Sequence, residues 1–511
     1  MELYDWQKRA LNEISEENNV ILSSPTGSGK TKVFMDWALA KGTKIIITAP
    51  IKALSNQRYR ELKAAGFKVG IETGDFKNVP EDFEILCCTQ EIYTLKYTDL
   101  EDVTLIVDEL HYIFENQERS RLYLEGLSNS KANSILICSA TLGNLAKLQN
   151  YIQRLTNRLF YLCVNNERST ELKVQRYTEL VKVQNALVIA FSVRNCEQIL
   201  DYILCYRKHN TFSGHNKKLS RKSKIALRER QEKIDIIKKY AAEYNIKGSI
   251  LDDVSYGVSI YHGKMLPKEK LFIEKLFEEK IIDTVIGTDA LSIGVNFPVE
   301  RVVFCQMAKY PGEPISKNMF DQIGGRAGRK GYFDVGYVNF SDDLDIEFKG
   351  FNTKKEYSKI INRKNEEICI LPLPLYSKLL SGETTIAEEV KYIKKYSTEP
   401  VDEAALVKEM EDTLEFITTF STLPNFNEEL AKVYFEEYTP EENCEIFLSI
   451  FTGATTEELI KFYGIDYYSL LRLRKYIRQL PDVYKYFVKV EELEDYIKKI
   501  DSTPFDIENE D

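Results

Sequence analysis

The sequence predicts an α/β chain in which two successive parallel-sheet lobes precede a mainly helical region. Three patterns carry this expectation. Short, nearly continuous Val/Ile/Leu runs alternate with helical stretches, as strands buried on both faces do. The runs form two groups. Asn19–Ser23, Lys44–Ala49, Glu84–Thr89, Val103–Val107 and Ser134–Cys138 make the first; Ala186–Phe191, Asp283–Gly287, Arg301–Cys305 and Val335–Phe340 make the second. From about Phe351 the pattern turns to amphipathic helices with few strand-like runs. The expected boundaries are residues 1–167, 168–345 and 346–511, with the two lobes joined near Asn165–Ser169.

Composition narrows the class. A chain of 511 residues exceeds one ordinary hydrophobic core, and 43% hydrophobic with 29% charged residues is globular composition. No apolar run approaches the ~18 residues that span a bilayer, so no membrane partner is expected. The start, Met1 to Trp6, lacks the basic-then-apolar pattern of a leader. Nine scattered cysteines without a C-x-x-C pair exclude a disulfide scaffold and fit a reducing, cytoplasmic setting. Cys205, His209 and His215 lack the further ligand pair that a zinc site needs. The net charge of −10 is uneven: residues 341–511 hold 37 Asp/Glu and 21 Lys/Arg, leaving 42 and 48 for the front. A basic front and an acidic rear suit nucleic acid confined to a channel. Within the second lobe, 207–247 carries 13 Lys/Arg against 4 Asp/Glu, read either as a solvated helical insertion or as an arm along a phosphate backbone.

Three motifs carry chemistry. After the first strand comes Ser24-Pro25-Thr26-Gly27-Ser28-Gly29-Lys30-Thr31, opening a helix. Glycines at 27 and 29 let backbone N–H groups face phosphates at a helix start; Lys30 reaches the β/γ-phosphates and Thr31 holds Mg²⁺. Thr26, Gly27, Ser28, Gly29, Lys30 and Thr31 are therefore expected to bind nucleotide. The strand Val103–Val107 ends in Asp108-Glu109-Leu110-His111. At the carboxyl end of a parallel strand Asp108 suits Mg²⁺, and Glu109 suits orienting or deprotonating a water. His111 reads as a link to Ser139-Ala140-Thr141. The third motif is Gln322-Ile323-Gly324-Gly325-Arg326-Ala327-Gly328-Arg329. Its two arginines, three apart, are expected on one face of a helical turn, suited to phosphoryl charge across an interlobe cleft.

Taken in order, these motifs resemble superfamily 2 DExH-box helicases of the Ski-like branch, the exosome-associated RNA helicase type. The resemblance covers roughly residues 1–340. Gln7 is similar to the family's adenine-reading glutamine, and Ala49–Gln57 to motif Ia. Thr73-Gly74-Asp75 and Thr89-Gln90-Glu91 resemble motif Ib and its successor, Phe191-Ser192 with Asn195–Glu197 motif IV, Tyr261-His262-Gly263 the H-x-G element, and Thr288–Pro298 motif V. The resemblance implies two RecA-like lobes with ATP and Mg²⁺ between them. It also implies a catalytic set of Glu109, Gln322, Arg326 and Arg329, and nucleotide contacts from Gln7, Asp108 and Gly294. Single-stranded nucleic acid would cross both lobes on Lys52, Thr73, Gly74, Thr89, Ser192 and Thr288, chemistry suited to backbone contact without base readout.

The implied activity is ATP-driven 3′→5′ movement on single-stranded or 3′-overhang RNA. Motif Ia and the run Asp108–Tyr112 look closer to RNA members than to DNA-repair members. DNA unwinding, duplex translocation without strand separation, and a non-unwinding RNA clamp are the alternatives. Between motifs V and VI a strand–turn–strand reading fits either a strand-separating hairpin or a plain one. In the rear, Thr455–Ile465 followed by Ser469–Gln479 resembles a helix-turn-helix or winged-helix element. Its Arg472, Arg474, Lys475 and Arg478 read either as a solvated face or as a ratchet-like contact. The tail Asp501–Asp511 is expected to be disordered.

Overall fold

The computed structural model describes residues 3–420 and Ile446, apart from 75, 116–119, 141, 169, 177–178, 213–220, 264, 289–290, 292–296, 310–312, 329–331 and 345–352. The first sheet contains β1 (Asn19–Ser23), β2 (Lys44–Ala49), β3 (Val69–Glu72), β4 (Lys77–Asn78), β5 (Ile85–Thr89), β6 (Val103–Val107), β7 (Ser134–Ser139) and β8 (Tyr161–Val164). Their order is β4-β3-β5-β2-β6-β7-β1-β8, parallel throughout except for the β3–β4 pair. Every residue of β5, β6 and β7 is buried. This is why these strands read as unbroken apolar runs: helices cover both sheet faces, so no alternation survives.

The chain leaves the first sheet at Val164 and joins the second at β9 (Glu171–Arg176). There follow β10 (Ala186–Ile189), β11 (Val258–Tyr261), β12 (Thr284–Gly287), β13 (Arg301–Phe304), a two-residue antiparallel pair β14 (Ala308–Lys309) and β15 (Glu313–Pro314), and β16 (Val335–Phe340). The second sheet is all parallel, in the order β11-β12-β10-β13-β16-β9. Cys196, Ile199 and Ile203 of the helix Val193–Phe212 pack on Val188, Ile286 and Val303. Between motifs V and VI the expected first arm, Arg301–Cys305, instead supplies the sheet strand β13, and the antiparallel pair is the shorter β14–β15, with two paired residues on each side.

The basic insertion lies around the helices Val193–Phe212 and Arg221–Glu243. Two of its cations serve the lobe itself. Arg207 donates to Val183 O, Tyr256 O and Asp283, and Lys208 pairs with Asp252.

Both sheets belong to one compact unit, residues 1–112, 125–262 and 269–368. A second unit combines 113–124, 263–268 and the chain from 369. Its described residues include the helices Tyr376–Ser381, Ile386–Tyr396 and Glu403–Phe420. They are organised by Glu389, which is buried and accepts both Arg121 Nη1 (2.7 Å) and Nη2 (3.1 Å), while Arg121 stacks 3.7 Å over the Tyr392 ring. A two-pronged, stacked arginine compensates a buried carboxylate in a way lysine does not match. The helix-turn-helix reading at Thr455–Gln479 and the tail lie outside the described residues.

Candidate active site

Between β1 and the helix Lys30–Ala40, Gly27 and Gly29 take φ of +79° and +90°, left-handed values that side chains resist. Gly27 also lies close to the second lobe, where a Cβ would come within 3.2 Å of Gly325 O and 3.3 Å of Arg168 Nη2. Ser28 is buried and shares a 2.6 Å hydrogen bond with Ser24, whose hydroxyl also accepts Asn165 Nδ2 at 2.9 Å. Gln7 is buried, with both ends of its amide engaged: Oε1 accepts Tyr4 N (2.8 Å) and Nε2 donates to Gly29 O (2.9 Å). In this state Gln7 braces the glycine loop.

β6 delivers Asp108 and Glu109 to the same place. Glu109 adopts φ +55°, a strained conformation for a side-chain-bearing residue and one that concentrates at functional sites. Lys30 Nζ donates to Glu109 Oε2 at 2.8 Å. Burial pushes the Glu109 carboxyl upward, but Lys30, followed by His111 and, least, Arg326, outweighs it and holds the pKa at about 2. Asp108 is fully buried and burial raises its pKa; its Oδ2 accepts Arg58 Nη2 at 3.1 Å and its Oδ1 has no hydrogen-bond partner. The same Nη2 donates to Thr31 Oγ1 at 2.9 Å. His111 Nδ1 accepts Ala140 N–H at 3.0 Å, so it links β6 to the segment after β7. Burial pushes the His111 pKa down to about 4, although Glu109 opposes this.

The second lobe supplies Arg326, which lines the cleft with Thr26, Lys30 and Glu109. Gln322 is buried on the helix Lys317–Gly324, one turn before it. The expected helical turn through Arg326 is absent. The helix ends at Gly324, Ala327 forms a parallel bridge with Val299, and Gly328 turns at φ +69°. Glycines at 325 and 328 remove the steric bias that would continue a helix. Gly325 approaches the first lobe so closely that a Cβ would stand 2.7 Å from Thr26. Arg329 and Gly294 lie outside the described residues.

The remaining expected residues share one side of each sheet. Lys52 opens the helix after β2, while Thr73 and Gly74 follow β3 and Thr89 closes β5. β3, β5 and β2 are neighbours, whereas Asp108 follows β6, Ser139 closes β7 and the glycine loop follows β1. The carboxyl edge of the first sheet therefore divides into a half carrying the glycine loop and the acidic pair and a half carrying small hydroxyls and a lysine. Ser192 follows β10 and Thr288 follows β12, again neighbours. Ser192 Oγ accepts Asn195 N at 3.1 Å.

Two further arginines escape sequence reading. Arg58, on the helix Lys52–Ala64, reaches the acidic pair. Arg168, in the segment joining the sheets, donates to Gly325 O (3.1 Å) and Ala327 O (3.2 Å), and Thr170 donates to Gly328 O.

Comparison with known proteins agrees with this geometry. Residues 4–148 match the DEAD/DEAH box helicase family, and residues 215–331 match the helicase conserved C-terminal domain. The chain carries a superfamily 2 helicase core. Its two parallel-sheet lobes are RecA-like, as the two matched helicase domains lead one to expect. Similar curated proteins include the DExH-box ATP-dependent RNA helicase DExH9 of Arabidopsis thaliana, 26% identical over 397 residues, 64% of this chain and 40% of that one. The exosome RNA helicase MTR4 of Homo sapiens is 24% identical over 404 residues, covering 65% of this chain and 38% of that one. This helicase core thus spans about 40% of the length of such relatives. Among solved structures, helicase Lhr of Mycobacterium smegmatis bound to ssDNA and AMP-PNP gives a TM-score of 0.50 at 18% identity, covering 80% of this chain and 55% of that one. The DUF1998 helicase MrfA bound to DNA gives the same values. Among the described residues no helix is long and apolar enough to cross a membrane.

Proposed function

We propose that the protein is an ATP-dependent RNA helicase of the Ski-like type that moves 3′→5′ on single-stranded RNA. Residues 1–167 and 168–345 would act as its two motor lobes, with 346–511 as an accessory region. The supporting observation is the convergence of Lys30, Glu109 and Arg326 in one cleft, on the carboxyl edge that also carries Lys52, Thr73 and Thr89.

In this reading the backbone N–H groups of Gly27 to Lys30 and the Lys30 ammonium hold the phosphates. Glu109, kept ionised, orients the attacking water and takes its proton. Arg326 faces the developing phosphoryl charge once the lobes are closed on nucleotide. The buried Asp108 Oδ1, without a hydrogen-bond partner, fits a divalent cation, with the Thr31 hydroxyl as the second protein ligand. Bound Mg²⁺ would neutralise charge on the β- and γ-phosphates. Thr73, Thr89, Ser192 and Thr288 hydrogen-bond the strand's phosphates, and Lys52 adds charge. RNA is preferred over DNA because the named curated relatives are RNA helicases.

The test is steady-state ATP hydrolysis with and without single-stranded RNA or DNA, beside displacement of a strand from 3′- and 5′-overhang duplexes. RNA stimulation with unwinding from 3′ overhangs is expected. Equal or greater stimulation by DNA would favour a repair-type helicase, and RNA stimulation without displacement would make the protein an ATP-gated clamp.

A further inference from the structure

Arg58 belongs to none of the residues assigned above, yet it reaches the centre of the site. It projects from the helix Lys52–Ala64 with its side chain 14% exposed. One nitrogen, Nη2, donates both to Thr31 Oγ1 (2.9 Å) and to Asp108 Oδ2 (3.1 Å). Nη1 donates to Glu61 Oε2 at 3.2 Å, and the guanidinium carbon lies 5.8 Å from the Phe34 ring centroid. Thr31 and Asp108 are the two side chains to which the proposed function assigns the divalent cation. The Arg58 nitrogen stands between them.

A buried carboxylate without a counter-charge is strongly destabilising, so Asp108 needs a cation beside it. Arg58 supplies one, permanently charged. A divalent ion held by Asp108 Oδ1 and Thr31 Oγ1 would need the hydroxyl that Nη2 already engages, and two cations beside one carboxylate repel. Binding of one therefore displaces the other.

We propose that Arg58 is an internal counter-ion that holds the Thr31–Asp108 pair in the metal-free state and competes with Mg²⁺ for it. It thereby sets the Mg²⁺ concentration at which nucleotide is held. This rests on the reading of Thr31 and Asp108 as cation ligands. A residue that merely braces the fold would support stability without touching the metal dependence, and a residue that grips phosphate would support nucleotide binding in the absence of metal. The two alternatives separate experimentally.

The experiment titrates Mg²⁺ into the full chain with a fluorescent ADP analogue, following binding by anisotropy, for the wild type, Arg58→Gln, Arg58→Met and Asp108→Asn. Mn²⁺ binding to the same proteins is read by electron paramagnetic resonance. In both Arg58 variants the half-saturating Mg²⁺ concentration is expected to fall severalfold and Mn²⁺ to bind more tightly. Affinity for the analogue in EDTA should be unchanged. Without metal these variants should melt below the wild type, and Mg²⁺ should raise their melting temperature by more than it raises the wild type's. Arg58→Met keeps the stem beside Phe34 and reads the same quantities if Arg58→Gln does not fold. Unchanged half-saturation in a folded variant overturns the competition, as does a loss of analogue affinity in EDTA. Asp108→Asn should abolish the Mg²⁺ dependence. If it does not, the assignment of the metal ligands fails, and this inference with it.

Discussion

Lys30 Nζ and Glu109 Oε2 stand 2.8 Å apart, joining the glycine loop after β1 to the acidic end of β6. Lys30 is 8% exposed and Glu109 23%, so the pair is shielded from bulk water but open to the cleft. In the proposed function, nucleotide phosphates arriving at the loop would compete with Glu109 for the lysine, and its release would free the carboxylate for a water.

The two partners should therefore fail differently. Lys30→Ala is expected to weaken ATP binding and abolish turnover, because charge neutralisation and positioning supply most of phosphoryl-transfer catalysis. Glu109→Gln spares Asp108 and the loop, and is expected to retain ATP while stopping hydrolysis. Equilibrium binding of a fluorescent ATP analogue beside single-turnover hydrolysis separates the two. Equal loss of binding in both variants would contradict the distinct roles.

In the proposed function Arg326 acts from the other lobe, so its contribution would belong to the closed, reacting state. Arg326→Ala should lower turnover at saturating ATP and RNA by about 10³-fold, the scale of an arginine finger, with little change in ATP affinity. Normal turnover in this variant would remove Arg326 from the reaction.

How much of this was legible in the sequence depended on distance along the chain. β1, β2 and β6 were readable residue for residue because their interior residues are mostly apolar and buried on both faces. β9 was invisible: Glu-Leu-Lys-Val-Gln-Arg lies at a sheet edge, almost wholly exposed, and exists because β16 pairs with it. The phosphate loop is local and its chemistry can be read from spacing. Arg58 meets Asp108 across 50 residues and Arg168 meets Gly325 across 157, so only the fold reveals them. Spacing also misled at Arg326, where three-residue periodicity suggested a helix that the glycines end.

His111 offers a pH signature. Its folded pKa of about 4 lies below the ordinary 6.5. Between these values the unfolded chain binds more protons than the folded one, so stability increases with pH. The contribution is complete above pH 6.5 and is lost as pH falls towards 4, amounting to about 3 kcal/mol. His111→Gln removes the titrating ring, and its unfolding free energy should vary less across this window than that of the wild type. Urea denaturation at half-unit pH steps provides the comparison. Parallel profiles would mean that His111 titrates alike in the folded and unfolded chain.

The segment after the helix Thr353–Ile360 ties the two lobes at the helix that precedes Arg326. The Glu366 carboxylate accepts Lys317 N at 2.7 Å and Asn318 N at 2.9 Å, the first two amides of the helix Lys317–Gly324. Its carbonyl accepts Gly143 N from the first lobe at 3.0 Å, and Asn365 Nδ2 donates to Asn318 Oδ1 (2.9 Å) and Asp321 Oδ2 (2.8 Å). A carboxylate at a helix start satisfies amides that have no partner within the helix and complements its dipole. Glu366→Ala should cost roughly 2 kcal/mol in stability, the upper range for a lost cap. Glu366→Gln, which keeps an acceptor but not the charge, should cost less. Because Arg326 follows the same helix, turnover should fall in Glu366→Ala while ATP affinity is retained. Chemical denaturation beside kcat and Kd measurements tests this. If stability falls but kcat holds, the segment supports the helix without positioning Arg326; if neither changes, the amides find another acceptor.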